Sequence, residues 1–272
     1  MTRPAADSPR DPDASVPQPE PWAGGGIRLT LLAGFKVEVG GQEIPLRPTA
    51  QHVVAYLAVA GRPSRSGTAG RLWPDQPEPQ ALNSLRSALH RLKRSCSGLV
   101  LRTGGMLCLN PLVQVDVHEV TQWARRMLSG ADTGVVAPPA GVALDEELLP
   151  GWYDDWVCLE RERLQQLRMH ALESWAEHLL RAGRFGEALY AAYSVMRMEP
   201  LRESANRLVV RAHLAEGNAV EALRRYESYR AMLAGELGLE PSAQMTALVR
   251  TLCRIADSGL ARRHRKDGRL PA

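Results

Sequence analysis

The sequence lacks any hydrophobic run long enough to cross a membrane. Its longest apolar stretch, residues 53–60, falls well short of the roughly 20 residues that a membrane-spanning helix needs. The four cysteines form no Cys-x-x-Cys pair, which argues against zinc fingers and disulfide frameworks and favours reduced, buried thiols. Residues 1–26 are rich in proline and aspartate without an apolar centre, so they predict a disordered tail rather than a signal peptide. We therefore expect a cytoplasmic protein with no membrane partner.

Motifs for catalysis and small-ligand binding are also missing. The chain contains no Gly-x-Ser-x-Gly nucleophile turn, no Gly-Lys-Ser/Thr phosphate loop and no His-Glu-x-x-His zinc motif. The seven histidines are spread along the sequence. We predict that the protein is not an enzyme, with no catalytic residues, no cofactor and no metal site.

Acidic residues are absent between Glu78 and Asp116. From residue 44 to residue 115, nine basic residues face only two acidic ones, a net charge of +7, whereas the other 200 residues sum to −3. The basic residues are mostly arginine, because the only lysines are Lys36, Lys93 and Lys266. Arginine forks suit phosphates and guanine edges, although a GC-rich coding bias produces the same composition. A block of one charge sign inside a balanced protein predicts a polyanionic partner.

Residues 27–115 show the order of elements of a winged helix-turn-helix domain. Period-two alternation predicts two short strands, the Gly40-Gly41 pair predicts a turn, and a third strand is predicted to begin at Ile44. Proline and glycine positions then delimit three helices, over residues 48–60, up to residue 73 and after residue 79. A hairpin over residues 100–109 follows, with a glycine turn. In a winged helix, the third helix enters a major groove while the hairpin touches the DNA backbone beside it.

The third predicted helix and the hairpin carry the candidate site. Four leucines recur at helical spacing and predict a stripe that faces the core, namely Leu82, Leu85, Leu89 and Leu92. The candidate DNA-binding residues lie on the opposite stripe, its flank and the hairpin: Asn83, Arg86, Ser87, His90, Arg91, Arg94, Arg102 and Thr103. A solvated outer face gives the same pattern, but the missing acids and the adjacent basic hairpin favour nucleic acid. Duplex DNA is favoured over RNA because exposed aromatics for base stacking are absent.

Residues 116–257 predict an all-helical domain built like tetratricopeptide repeats. Four residues recur at a spacing of 34 positions, the tetratricopeptide period, as Gly183, Glu187, Ala188 and Leu189 and then Gly217, Glu221, Ala222 and Leu223. The second unit closes later than this period requires, which predicts a longer final helix around residues 226–235. Residues 152–156 are predicted to be core aromatics before a helix that begins near Val157, rather than a ligand cage or an acidic catalytic pair. The fold class is therefore mainly α with a small β component.

Several segments resemble those of a known family. Residues 148–157 (LLPGWYDDWV) and residues 236–242 (ELGLEPS) resemble the start and the end of a bacterial transcriptional activator domain. Leu72-Trp73, Ala81-Leu82 and Arg91-Leu92 resemble the second and third helices of an OmpR-type winged helix. From about residue 27 to residue 255, the chain is similar to the SARP family, the actinobacterial antibiotic regulatory proteins.

The resemblance implies a transcriptional activator of a secondary-metabolite, or antibiotic, gene cluster. Such a protein binds direct repeats near the promoter with protomers side by side, and recruits RNA polymerase holoenzyme through its sigma subunit. The resemblance thus implies an OmpR-type winged helix over 27–115 and an activator domain over 116–257, in a cytoplasmic, nucleoid-associated protein. The arginines and the lysine of residues 258–272 predict a basic tail after that domain. Because the chain ends before the ATPase region of many relatives, a short, ATP-independent member is expected.

A second hypothesis follows from the same residues. A helical-repeat scaffold whose basic domain docks an acidic protein partner would have the same charge distribution and the same repeats. The two hypotheses differ in one measurable property, since a scaffold would show no preference among duplex sequences.

Overall fold

The structure is a computed structural model that describes residues 26–130, 136–142 and 144–250. The predicted tails over 1–26 and 258–272 lie outside the described residues, apart from Gly26. The chain divides into two compact units, the first ending at Val115 and the second beginning at Asp116. The short segment Leu32–Gly34 belongs to the second unit. The N-terminal unit mixes strands and helices and the C-terminal unit is helical, so the predicted fold class is confirmed.

The N-terminal unit contains a four-stranded sheet, three helices and a separate hairpin. Its elements are β1 (Ile27–Thr30), β2 (Lys36–Val39), β3 (Gln42–Glu43), α1 (Pro48–Ala60), α2 (Arg65–Leu72), α3 (Glu78–Ser95), β4 (Val100–Thr103), β5 (Met106–Leu109) and β6 (Val113–Val115). The sheet order is β3-β2-β1-β6, with β1 antiparallel to β2 and parallel to β6. β4 and β5 form the predicted hairpin.

The third strand lies earlier than the sequence predicted. It occupies Gln42–Glu43, directly after the turn at Gly40-Gly41, where both glycines have a positive φ. The N–H of Ile44 still donates to the carbonyl of Val37 at 2.9 Å, but the next residue is Pro45, which has no N–H. The prediction of a strand beginning at Ile44 was therefore wrong, because the ladder ends where the proline removes a donor.

The three helices and the hairpin share one core. Buried side chains from α1, α2, α3 and β5 form a single cluster of Val53, Leu57, Ala69, Ala81, Leu85, Ala88, Leu89 and Leu107. Trp73 packs against this cluster at the end of α2. Helix α2 contains two glycines and is intrinsically weak, so this packing and its N-cap stabilise it. At the cap, Ser64 accepts a hydrogen bond from the Gly67 N–H at 3.0 Å.

The C-terminal unit is built from helices. Its elements are α4 (Asp116–Ser129), α5 (Asp155–Arg181), α6 (Phe185–Met198), α7 (Glu203–Ala215) and α8 (Ala219–Leu237), and residues 243–250 are also helical. Consecutive helices from α4 to α8 pack against one another. A core cluster of α7, α8 and the last helical segment includes Val210, Tyr226 and Met245. Among the described residues, no helix is both long and apolar enough to span a bilayer.

The 34-residue repeat reappears as identical turn geometry. Gly183 and Gly217, with φ of 73° and 84°, both follow a helix end and precede the next helix. The N–H of Gly183 donates to the carbonyl of Leu180, and that of Gly217 donates to Leu214, at 3.1 Å in both cases. Helix α8 has 19 residues against 14 in α6, so the longer final helix is confirmed.

The segment at the start of α5 is organised by Arg161. Its guanidinium donates to the carbonyl oxygens of Leu148, Leu149 and Trp152 at 2.8–3.0 Å. Trp156 is buried, but Tyr153 is 83% exposed. The prediction that Tyr153 is a core aromatic was therefore wrong, because the residue precedes the first turn of α5 and lies outside the helical stripe that faces the core.

Candidate nucleic-acid interface

One face of α3 is exposed because the opposite face is fixed in the core. Leu85, Leu89 and Leu92 are buried as predicted, whereas Leu82 is only partly buried. Two alanines that the sequence reasoning did not single out, Ala81 and Ala88, are fully buried beside the leucines. Their small side chains let α3 lie close to its neighbours, and the polar stripe points to solvent.

All eight predicted site residues are exposed. On α3 these are Asn83, Arg86, Ser87, His90, Arg91 and Arg94, and on the hairpin they are Arg102 and Thr103. The Nη1 of Arg86 donates to the Oδ1 of Asn83 at 2.9 Å, one helical turn away. This contact orients the guanidinium along the exposed stripe while leaving its other N–H groups available to a ligand.

The hairpin is attached to the start of α2 by backbone contacts. The N–H of Leu107 donates to the carbonyl of Pro63 at 2.9 Å, and Met106 forms an isolated bridge with Ser64. Arg102 is the cross-strand partner of Leu107. The residues before α2 therefore form a short extension of the hairpin, which positions Arg102 beside the first residue of α2.

That first residue, Arg65, is a candidate site residue that the sequence reasoning missed. Partial burial lowers its pKa, and the nearby positive charges of Arg102 and Arg86 lower it further. The guanidinium of Arg65 is thus close enough to those of Arg102 and Arg86 to be repelled by both. The sequence signal was weak, because Arg65 stands in a serine- and glycine-rich segment that reads only as the start of a helix.

The remaining α3 cations lie on two other surfaces. Arg91 and Arg94 line an open cleft of about 540 Å³, to which α1 contributes Arg47. Lys93 shares with Arg102 a smaller groove of about 270 Å³ between the end of α3 and β4. The predicted site residues therefore do not form one uniform patch. Arg86 and Arg102 lie near Arg65, whereas Arg91 and Arg94 line the cleft with Arg47.

Ion pairing differs between the two units. Among the described residues, no carboxylate lies within 4.0 Å of the basic side chains Arg47, Arg62, Arg65, Arg71, Arg86, Arg91, Lys93, Arg94 and Arg102. In the C-terminal unit, by contrast, nine arginines pair with carboxylates: Arg161, Arg163, Arg184, Arg197, Arg202, Arg207, Arg211, Arg224 and Arg230. The nine basic side chains of residues 44–115 therefore have no carboxylate partner within the described part of the chain, whereas Lys36 of β2 pairs with Glu38 at 2.8 Å.

Comparison with known proteins finds a matching domain and several similar regulators. Residues 140–253 match the bacterial transcriptional activator domain. The regulatory protein AfsR of Streptomyces griseus is 28% identical over 87% of this chain, and AfsR of Streptomyces coelicolor is 27% identical over the same share. The regulatory protein DnrI of Streptomyces peucetius is 26% identical over 70% of this chain and 77% of its own length. The chain is therefore similar to regulators of the SARP family, and its C-terminal part matches a bacterial transcriptional activator domain.

The chain spans a quarter of the length of the two AfsR proteins. Its structure is similar to that of Mycobacterium tuberculosis EmbR in complex with a low-affinity phosphopeptide, with a TM-score of 0.64 at 19% identity. The likeness covers 84% of this chain and 65% of EmbR. It shows the shared fold, a winged helix and a helical domain. No group of histidine, cysteine and acidic residues among those described could hold a metal ion.

Proposed function

We propose that this chain is a transcriptional activator of the SARP family, not an enzyme, and that it binds duplex DNA through residues 27–115. In this proposal α3 lies in a major groove, with Asn83, Arg86, Ser87 and His90 towards the base edges. The hairpin residues Arg102 and Thr103 contact the adjacent backbone. Residues 116–257 form the activator domain.

The observation that carries the proposal is the contrast in ion pairing. An arginine that serves only solubility gains a little from pairing with a nearby carboxylate, as the exposed Arg224 does with Glu221 at 2.7 Å. The nine cations of residues 44–115 have no such partner among the described residues, and partial burial together with the positive charges of Arg102 and Arg86 lowers the pKa of Arg65. Grouping like charges costs free energy unless a polyanion compensates it. Duplex DNA supplies that charge at regular spacing.

The finer part of the proposal concerns the promoter and the transcription machinery. We propose that protomers bind direct repeats side by side near a promoter of a secondary-metabolite gene cluster, and that the activator domain contacts the sigma subunit of RNA polymerase holoenzyme. The regulatory relatives and the matched activator domain support this assignment. The stacked helices of the C-terminal unit offer extended surfaces for such protein contacts.

The test is DNA retention by a double variant of the whole chain. Duplexes are first enriched from a randomised pool with the unmodified protein, and their affinity is then measured for Arg86→Ala combined with Arg91→Ala. Both side chains are exposed, so the fold should be preserved. We expect loss of retention at 0.15 M salt, and a dependence of log affinity on log salt that is shallower by about 0.9 for each lost phosphate contact.

A matched control removes the same charge from the other unit. Arg163→Ala combined with Arg224→Ala deletes two exposed arginines of the C-terminal unit, and this variant should retain the duplex like the unmodified chain. Unchanged binding by the α3 variant would refute the site assignment. A pool in which no sequence is enriched would instead favour the scaffold hypothesis.

A further inference from the structure

We propose that Arg47, Arg91 and Arg94 form a separate phosphate-binding cleft that holds one phosphodiester of the DNA backbone. This inference rests on the proposed function and adds to it a residue, Arg47, and a division of labour along α3. The cleft would contribute affinity without contributing sequence preference.

Three arginines, from the start of α1 and the end of α3, line the cleft. Arg47 is the N-cap residue of α1, and Arg91 and Arg94 lie one turn apart near the end of α3. Together with Pro45, Ala50 and Ser95 they enclose about 540 Å³, which is ample for a phosphate group and its bound water. The Arg47, Arg91 and Arg94 side chains are all exposed, so the cleft opens to solvent.

The charges in the cleft lack a partner within the described chain. No described carboxylate lies within 4.0 Å of any of the three arginines, and α1 has no acidic residue in its first turn. A guanidinium presents its N–H groups as a planar fork that fits two oxygens of a phosphate. Three such forks around one opening therefore favour a compact anion with several oxygens.

The position of the cleft favours a backbone phosphate over a base edge. Arg94 lies eight residues after Arg86, about 12 Å further along the helix axis. Arg91 is turned about 140° around the axis from Arg86. When a helix enters a groove at its N-terminal part, side chains at its far end reach the flanking backbone instead of the groove floor. Arg47 belongs to a different helix and approaches the same space from the side of α1.

The experiment compares Arg47→Ala with the unmodified chain on an enriched duplex and on a scrambled duplex of equal length. The side chain of Arg47 is exposed, and only its backbone carbonyl accepts the bonds from Ala50 and Gln51, so α1 should begin at the same residue. We expect the salt dependence to become shallower by about 0.9 on both duplexes. This change in slope corresponds to about an eightfold loss of affinity at 0.1 M salt. The ratio of the affinities for the two duplexes should stay unchanged.

Two further variants sharpen the test. Arg47→Lys keeps the charge and loses the fork, so it should keep most of the salt dependence. Arg224→Ala removes one exposed arginine from the C-terminal unit and should leave both affinities unchanged.

Different results would overturn different parts of the account. An unchanged salt dependence in Arg47→Ala, while Arg86→Ala with Arg91→Ala abolishes retention, would refute the cleft and leave the proposed function standing. A changed ratio between the two duplexes would also refute it, since Arg47 would then affect sequence preference. Inorganic phosphate that binds the unmodified chain but not Arg47→Ala, with DNA affinity unaffected, would assign the cleft to a free anion and refute the proposal. An unmodified chain that retains no duplex would refute both.

Discussion

Replacing Arg65 with alanine should weaken DNA binding without destabilising the N-terminal unit. Arg65 is the first residue of α2, where a positive charge opposes the helix dipole, and its pKa is lowered by partial burial and by Arg102 and Arg86. In the free protein the side chain therefore has unfavourable electrostatic interactions. Bound phosphate would reverse their sign. Stability and affinity should consequently change in opposite directions.

The size of each change follows from the position of the side chain. Removing a cation from the first turn of a helix raises the free energy of unfolding by about 0.3–1 kcal/mol. Relief of the repulsion between partly exposed charges adds about a few tenths of a kcal/mol. We expect the free energy of unfolding to rise by about 0.5–1 kcal/mol, which raises the unfolding midpoint of a domain of this size by roughly 2–8 °C. DNA affinity should fall about eightfold at 0.1 M salt, with a slope of log affinity on log salt shallower by about 0.9.

Hydrogen exchange of peptides from α1 and α3 in the intact chain measures local stability, and titration of the enriched duplex measures affinity. Arg71→Ala is the matched control, because Arg71 lies in the last turn of α2, where a cation is favourable. That variant should be slightly less stable, the opposite of the change expected for Arg65→Ala. A loss of more than 1 kcal/mol of stability in Arg65→Ala would show that Arg65 has a structural role. Unchanged affinity and slope would show that it contacts no phosphate.

Two predictions concern the C-terminal unit. Burial raises the pKa of Glu173, but hydrogen bonds from Arg202 and Ser204 outweigh the burial, so the net pKa is lowered. The ionised Glu173 therefore stabilises the fold at neutral pH, and this contribution is lost as pH falls below about 4.5. In urea denaturation, Glu173→Gln should lower the free energy of unfolding by about 2 kcal/mol at pH 7 and abolish its dependence on pH in this range. A variant as stable as the unmodified chain at pH 7 would contradict this prediction. Gly183→Ala and Gly217→Ala should each lower the free energy of unfolding by about 1 kcal/mol, because both glycines have a positive φ. Gly186→Ala inside α6 should leave stability unchanged or raise it. Equal effects of all three substitutions would contradict the argument from turn geometry.

Local periodicity accounts for the parts of the fold that the sequence predicted well. The spacing of Leu85, Leu89 and Leu92 is a property of one helix, and it determined which face of α3 is buried. The Gly104-Gly105 turn identified the hairpin in the same way, because both glycines have a positive φ. The helical repeat was also predictable, because aligning the sequence with itself shows Gly183 and Gly217 at a spacing of 34 positions.

Long-range contacts account for what the sequence did not predict. The parallel pairing of β6 with β1 joins residues more than 80 positions apart, and no local pattern encodes it. Arg65 and Arg47 became candidate site residues only because the fold places them beside arginines of α3 and the hairpin. A count of charges along the chain included both residues, but it could not group them with their neighbours.

Methylation interference on the enriched duplex tests the central claim most directly, namely that α3 reads a major groove. Guanine N7 faces the major groove and adenine N3 faces the minor groove. We predict that methylation of guanine N7 within the bound site blocks retention of the unmodified chain, and that adenine N3 methylation does not. Interference confined to adenine N3, or no interference at any guanine of the site, would contradict the account.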